Sequence, residues 1–359
     1  MKDKKIRVLI VEDTLVARNL LQALVLSDDQ FELAGIAENG KEACELSEKL
    51  TPDVVSMDIL MPIMDGVEAT RNIMQNHPVP IIIVSSFYQS SEIEMAMRVL
   101  EAGAVAILPR PWGPGHPKYL QSSRKYLNML RLMSDVKVVR RKKEVGSKTV
   151  QNSEKAVLLS SWQLPRQEFK ALAIGASAGG PEALVTILSG LREGFPLPVF
   201  IVQHIDSHFA DGFAAWLNTC SKMRVTIAVN GEEIVPGHVY LAPGDQHLTV
   251  NANGTLSIAR EPSTRGLRPS VDVLFKSIAQ TYGKDSIAVI LSGMGRDGVM
   301  ELKHLYDLGA FTIAQEKMSC LVYGMPGEAV SKGAVCKILT PQDIVEVINK
   351  SVVFKNSLV

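Results

Sequence analysis

The chain has 359 residues, is 46% hydrophobic, and balances 38 basic against 38 acidic side chains. That balance excludes the strong single-sign field of nucleic-acid and membrane-surface binders, and no apolar run reaches the roughly 18–20 residues that span a bilayer. The four cysteines (Cys44, Cys220, Cys320 and Cys336) are far apart with no C-x-x-C pair, which argues against structural zinc and a disulfide framework and points to a reducing cytoplasm.

The polar start, Met1–Lys5, carries no signal-peptide pattern. From there the first third alternates short apolar runs with helical patterns. Strands are predicted at Ile6–Val11, Phe31–Ala37, Val54–Met57, Ile81–Ser85 and Val105–Leu108. Strands separated by helices imply a parallel sheet built of βαβ units. Leucines at 120, 127 and 130 share one face of a last predicted helix, Tyr119–Met133.

Glu12 and Asp13 directly follow the first strand, and Asp58 follows the third. Loops after neighbouring parallel strands meet at the carboxyl edge of a sheet. Three carboxylates in one pocket repel unless a pKa rises or a cation binds, and an all-oxygen set favours Mg²⁺. Taken singly, each reads rather as a surface acid on a loop.

From about residue 134 to 167 the pattern breaks. Arg140-Arg141-Lys142-Lys143 is followed by Gly146, Ser147, Gln151, Asn152 and Ser153. This reads as an exposed linker, with the basic cluster a solvated tether rather than a binding site. Strands then resume at Ala171–Ile174, Val199–Val202, Val225–Ala228, Val239–Leu241, Ile287–Leu291 and Thr312–Ala314, which makes the second half another α/β domain.

Its most informative stretch is Gly175-Ala176-Ser177-Ala178-Gly179-Gly180-Pro181, between an apolar run and a helix-forming run. Ser177 is a candidate nucleophile on a strand-to-helix turn. The glycines permit positive φ and close approach, and the helix N-terminus favours developing negative charge. An ordinary glycine-rich turn or a phosphate cradle is the alternative, although both G-x-G-x-x-G and the P-loop pattern fail.

A serine needs a base. His204 closes the strand Val199–Val202 in Val202-Gln203-His204, at the same sheet edge, although a histidine there is also readable as structural. His208 lies four residues on, but H-E-x-x-H is absent, so zinc is set aside. Asp297 lies in Ser292-Gly293-Met294-Gly295-Arg296-Asp297-Gly298, a loop rich enough in glycine to approach something closely. It is either the orienting carboxylate or a cap on the next helix, Val299–Leu308. The order serine, histidine, aspartate differs from the α/β-hydrolase order, and each member follows a different strand.

Two resemblances follow from these motifs. Asp58-Ile59-Leu60-Met61-Pro62-Ile63-Met64-Asp65-Gly66 with Val84-Ser85-Ser86, over about residues 5–123, resembles response-regulator receiver domains. This implies Asp58 as phosphoacceptor, Glu12, Asp13 and Asp58 as Mg²⁺ ligands, Ser85 and Arg110 as switch residues, and a histidine kinase as donor. Arg110, before Pro111, stands where that family has lysine.

Gly175–Gly180, Gln203-His204, Ala242-Pro243-Gly244-Asp245, Arg268-Pro269-Ser270-Val271-Asp272, the Gly293–Gly298 loop and Tyr323-Gly324-Met325-Pro326 together resemble the chemotaxis protein-glutamate methylesterase family. Ala178 departs from a threonine common there, and Leu267 from a histidine seen before Arg-Pro-Ser in some members. The resemblance implies a triad of Ser177, His204 and Asp297, an oxyanion hole of backbone amides near His204 and Met294, and no cofactor for the esterase.

It also implies a two-domain α/β protein. A (βα)5 receiver with a parallel sheet would occupy 1–123, a linker 124–167, and a three-layer α/β esterase domain with a mostly parallel sheet 168–359. The implied activity is phosphorylation-controlled hydrolysis of glutamate γ-methyl esters, with glutamine deamidation, on methyl-accepting chemoreceptors, in the cytoplasm, without nucleic acid or membrane insertion. A phosphorylation-dependent interaction module with a silent esterase, and an esterase of another chemosensory pathway, remain the alternatives.

Overall fold

A computed structural model describes residues 4–86, 90–138, 168–262 and 266–353. The chain divides into two compact units, Met1–Arg141 and Lys142–Val359. No described helix is long and apolar enough to cross a membrane.

The first unit is a five-stranded parallel sheet, β1 (Ile6–Val11), β2 (Phe31–Ala37), β3 (Val54–Met57), β4 (Ile81–Ser85) and β5 (Ala106–Pro109), in the order β2-β1-β3-β4-β5. β3 and β4 are buried along their whole length, as expected of strands covered on both faces, which is why they read as unbroken apolar runs. Helices α1 (Leu15–Leu26), α2 (Gly40–Leu50), α3 (Gly66–Asn76), α4 (Ser90–Ala102) and α5 (Tyr119–Ser134) join or follow the strands. Asn39 and Asp65 start α2 and α3 by accepting the amides of Glu42 and Glu68. The strand order reverses between β1 and β3, and such a switch point opens a crevice at the carboxyl edge.

The boundary expected at residue 123 needs correction. α5 runs on to Ser134 and belongs to this unit: Tyr126, Leu130 and Met133 are buried, Tyr126 Oη bonds Ser56 Oγ at 3.0 Å, and Arg131 bonds Asp28 at 2.8 Å. Of the expected linker, 139–167, including the basic cluster Arg140–Lys143, lie outside the described residues.

The second unit holds a seven-stranded parallel sheet in the order β14-β13-β12-β6-β7-β9-β8. Its strands are β6 (Ala171–Ala176), β7 (Val199–Gln203), β8 (Arg224–Ile227), β9 (His238–Leu241), β12 (Ser286–Ile290), β13 (Phe311–Gln315) and β14 (Lys337–Leu339). An antiparallel hairpin, β10 (His247–Val250) with β11 (Leu256–Ala259), stands apart from it. The helices are α6 (Gly180–Gly190), α7 (Ala210–Cys220), α8 (Val271–Thr281), α9 (Val299–Asp307), α10 (Met325–Ser331) and α11 (Pro341–Ser351).

Ala171, Ala173, Phe200, Val202, Ala288 and Ile290 share one core with Leu274 and Phe275 of α8, Leu302 of α9 and Ala329 of α10. The intervening strand residues point to the opposite face, and α6 packs with both α7 and α11. The result is a helix–sheet–helix sandwich. The chain builds β6, β7, β8 and β9 to one side and then returns to place β12 on the other side of β6. The second switch point is therefore β6/β12.

Candidate active site

Both switch points carry the side chains that the sequence singles out. At the first, Glu12, Asp13 and Asp58 bring carboxylate oxygens within 4.8 Å of one another. Glu12 and Asp58 are buried and Asp13 is exposed. Arg110, just beyond β5, reaches across the edge: its Nη2 lies 2.9 Å from Glu12 Oε2 and 2.9 Å from Asp58 Oδ2. Its length and fixed charge suit it to bridge two carboxylates. The Ile59 amide donates to Asp58 Oδ1 at 2.7 Å, and Ser85 also bonds that carboxyl.

Burial pushes Asp58 above the usual carboxylate range, against the opposing pull of Ser85 and Arg110. Burial, then the neighbouring Asp58 charge, push Glu12 up to about 7. An all-oxygen cluster of this kind suits a small, hard divalent cation.

Glu12 predicts a pH dependence in the metal-free protein. Its folded-state pKa lies above its ordinary 4.5, so the folded chain keeps a proton that the unfolded chain releases. Stability then falls as pH rises from about 4.5, and the loss is complete above about 7. Thermal melts in a chelator are expected to show the first unit's midpoint dropping by about 5–10 °C between pH 5 and 8. Glu12→Gln is expected to flatten that slope, and a flat wild-type profile would show that Glu12 is not held protonated.

At the second switch point, Ala176 and Gln203 are register partners. Adjacent strands lie about 4.8 Å apart, so Ser177 and His204 leave the sheet side by side. Ser177 sits on the turn from β6 to α6, where Gly179 adopts φ 77° and Pro181 lies in the first turn of the helix. The Gln203 side chain fastens this corner by donating to Ser177 O at 2.8 Å and His204 O at 3.1 Å.

Asp297 is 1% exposed and bonds His204, its Oδ2 lying 2.8 Å from His204 Nε2. A carboxylate only accepts, so Nε2 carries the proton, and among the described residues Nδ1 is the ring nitrogen without a hydrogen bond. Asp297 takes three further donors: Ser270 Oγ at 2.7 Å, the Val271 amide at 2.6 Å and the Asp272 amide at 3.2 Å. Burial alone raises its pKa, but the hydrogen bond and charge of His204, then Ser270 and the Val271 amide, outweigh it and hold the carboxyl below its ordinary range. Asp297 therefore does serve a helix start, but that of α8 rather than α9. The N-cap residue of α9 is Gly298.

The glycine-rich loop comes close to Ser177 itself. A Cβ on Gly293 would fall 2.7 Å from Ser177 Cβ and 2.4 Å from Met325 Sδ. The amides of Gly324 and Met325 both donate to Gly293 O, at 3.1 and 2.8 Å. In a planar trans peptide the next N–H points the opposite way, so this pair of bonds fixes the direction of the Met294 amide. No hydrogen bond occupies the Met294 or Ala178 amide among the described residues.

The His204 amide is different and corrects an expectation. It donates to Ala176 O at 3.0 Å and extends the β6–β7 ladder. With its single N–H in use, it is not available to an oxyanion. His208 bonds Asp206 at 2.6 Å and is exposed. The roles of Ser270, of the Gln203 side chain and of Ser292, whose Oγ donates to Ala178 O at 2.7 Å, are not legible in the sequence. Each lies inside a motif, but its bonding partner is distant in sequence or is main chain.

The CheB methylesterase family matches residues 172–348 and the response regulator receiver domain family matches residues 8–119. The protein-glutamate methylesterase/protein-glutamine glutaminase 4 of Geobacter metallireducens is 46% identical over 95% of this chain and 97% of its own. Its counterpart 1 in Syntrophus aciditrophicus is 43% identical over 96% of this chain and 98% of its own. The Thermotoga maritima CheB methylesterase catalytic domain superposes with a TM-score of 0.50 at 36% identity, covering 52% of this chain and 100% of that domain. With its topology, switch-point sites and full-length relatives in agreement, the chain belongs to the CheB methylesterase family, its catalytic domain preceded by a response regulator receiver domain.

Proposed function

We propose that this chain is a phosphorylation-controlled protein-glutamate methylesterase and glutaminase acting on chemoreceptors in the cytoplasm, with Ser177 as nucleophile, His204 as base and Asp297 as the orienting carboxylate. The observation that carries it is the locked His204–Asp297 pair at a switch point where Ser177 leaves the adjacent strand. His204 Nδ1 takes the Ser177 proton as Oγ attacks the γ-carbonyl of the methylated glutamate. The imidazolium that forms faces an ionised carboxylate.

The oxyanion falls to the Met294 amide, with Ala178 as the second free N–H. One such donor is typically worth about 10²–10³ in rate. Collapse returns the proton to the methoxy oxygen and methanol leaves. Water, deprotonated by the same imidazole, then cleaves the acyl-serine to release glutamate. Glutamine follows the same route with ammonia as the leaving group.

In the receiver, Asp58 is the phosphate acceptor, a chemotaxis histidine kinase is the donor, and Ser85 and Arg110 read the modified side chain. Glu12, Asp13 and Asp58 fit a Mg²⁺ ion, which would neutralise phosphoryl charge during transfer.

The test is methanol release from methylated chemoreceptors, with and without a small-molecule phosphodonor. Release is expected to rise about tenfold with the donor, a differential stabilisation of ~1.4 kcal/mol between two states. Asp58→Asn is expected to keep the unstimulated rate and lose the rise. Absence of release from receptors would reject the substrate class, and an undiminished rise in Asp58→Asn would reject the acceptor.

A further inference from the structure

We propose that Ser270 is a positioning residue of the esterase, a serine that holds the Asp297 carboxylate in the plane His204 needs instead of capping its own helix. The proposal rests on the Ser177–His204–Asp297 reading and adds a fourth side chain to it.

Ser270 occupies the N-cap position of α8 with the extended backbone usual there, φ −120° and ψ 134°. A serine at an N-cap ordinarily accepts the amide two or three residues on. Asn39, Asp65 and Thr340 all do so at other helices of this chain. Ser270 makes no such bond. Its hydroxyl donates to Asp297 Oδ1 at 2.7 Å, and the first amides of the helix, Val271 and Asp272, go to the same carboxylate. The capping task has passed to an aspartate from another loop, which frees the serine to act as a donor.

That exchange bears on catalysis through geometry. The terminal torsion of aspartate is broad and roughly two-fold, so a buried carboxylate keeps one orientation only if both oxygens are held. Oδ2 is held by Val271 N–H and faces His204. Oδ1 is held by the Ser270 hydroxyl and, less closely, by the Asp272 amide.

Ser270 is itself fixed from behind. It is 1% exposed, and its amide donates to Nδ1 of the buried His247 on β10 at 3.2 Å. Burial lowers the pKa of His247, which favours the neutral ring able to accept at Nδ1. The hairpin that carries His247 thereby supports the triad from outside the main sheet.

The experiment compares Ser270→Ala, Ser270→Thr and Ser270→Cys in the full chain, measuring kcat and KM for methanol release from methylated receptors together with thermal melts. Ser270→Ala is expected to lower kcat about tenfold, the loss typical of one hydrogen bond to a charged group, with KM within about twofold. Ser270→Thr keeps the hydroxyl and is expected to restore kcat to within about twofold.

An unchanged kcat in Ser270→Ala overturns the proposal, and so does equal impairment of the alanine and threonine variants. If the alanine variant does not fold, Ser270→Cys decides, because its thiol is a weak donor of similar shape. An intermediate kcat supports the proposal and a wild-type kcat rejects it. Failure of the underlying triad shows separately, as methanol release that survives Ser177→Ala.

Discussion

Ser177→Ala is expected to lower methanol release by about 10⁵–10⁶-fold while leaving the fold intact. The magnitude follows from the absence of a substitute. The other two serines of the site are committed: Ser270 Oγ donates to Asp297 and Ser292 Oγ to Ala178 O, and both residues are buried. The Ser177 hydroxyl itself makes no hydrogen bond among the described residues, so its removal leaves no orphaned partner. The expected stability change is within about 0.5 kcal/mol, and unfolding curves can check it independently of activity.

His204→Ala is expected to give a loss of the same size, and the double variant no further loss, because nucleophile and base act as one unit. Release within tenfold of wild type in Ser177→Ala would remove the serine from its role.

The second large effect separates Asp297→Asn from Asp297→Ala. An asparagine must set its NH₂ against one pair of the four donors. Neither side is free of a backbone amide, which can only donate: at the Oδ2 side stand His204 Nε2 and the Val271 amide, the shortest of the four bonds at 2.6 Å. At the Oδ1 side stand the Asp272 amide, the longest of the four bonds, and the Ser270 hydroxyl, which can rotate to accept. The NH₂ therefore settles at the Oδ1 side, the carbonyl oxygen still receives Nε2–H, and the tautomer of His204 survives.

What is lost is the charge opposite the imidazolium. At ~4 Å and an effective dielectric of about 20, that interaction is worth ~4 kcal/mol, or about 10³ in kcat. Asp297→Ala loses orientation as well and is expected to fall about tenfold further, to roughly 10⁴. Both variants remove an anion from the N-terminus of α8, which contributes up to ~2 kcal/mol in buried geometries, so both are expected to melt earlier than wild type. Equal kcat in the two variants would show that the four-donor arrangement does not govern the ring.

The sign of the pH effect at Asp297 is opposite to that at Glu12. A carboxyl held below its ordinary range stabilises the fold at neutral pH, and this is lost only in acid, as the pH falls through the depressed folded value. Glu12, pushed upward, weakens the fold as the pH rises. Two buried carboxylates at the switch points of two sheets thus behave in opposite ways, because at Asp297 His204 and the other donors outweigh burial, whereas at Glu12 burial and the neighbouring Asp58 charge outweigh Arg110 and the Thr14 amide.

How much of this was legible in the sequence depended on how local each signal was. Ile81–Ser85 and Val199–Gln203 are fully buried, so their composition alone marks them as strands. β14, with three residues, and the hairpin of four-residue strands are too short to show a period, and they escaped. Ser177, His204 and Asp58 were visible because each directly follows a strand whose carboxyl edge is where parallel sheets place chemistry.

The role of Asp297 was half visible. A helix-capping aspartate was a fair reading, yet the helix it serves begins 26 residues earlier in the chain. The oxyanion amide assigned to His204 failed for a similar reason, since only the β6–β7 pairing shows that this N–H is already bonded.

The amino-acid sequence by itself determined the periodicities, the turn residues and the reactive side chains, because those depend on neighbours a few positions away. The tertiary structure alone decided which donors surround each carboxylate, and hence whether that carboxylate is held ionised or protonated. Solvation and hydrogen bonding depend on distance in space, and the strands that set those distances are paired from segments more than a hundred residues apart, as β12 is with β6.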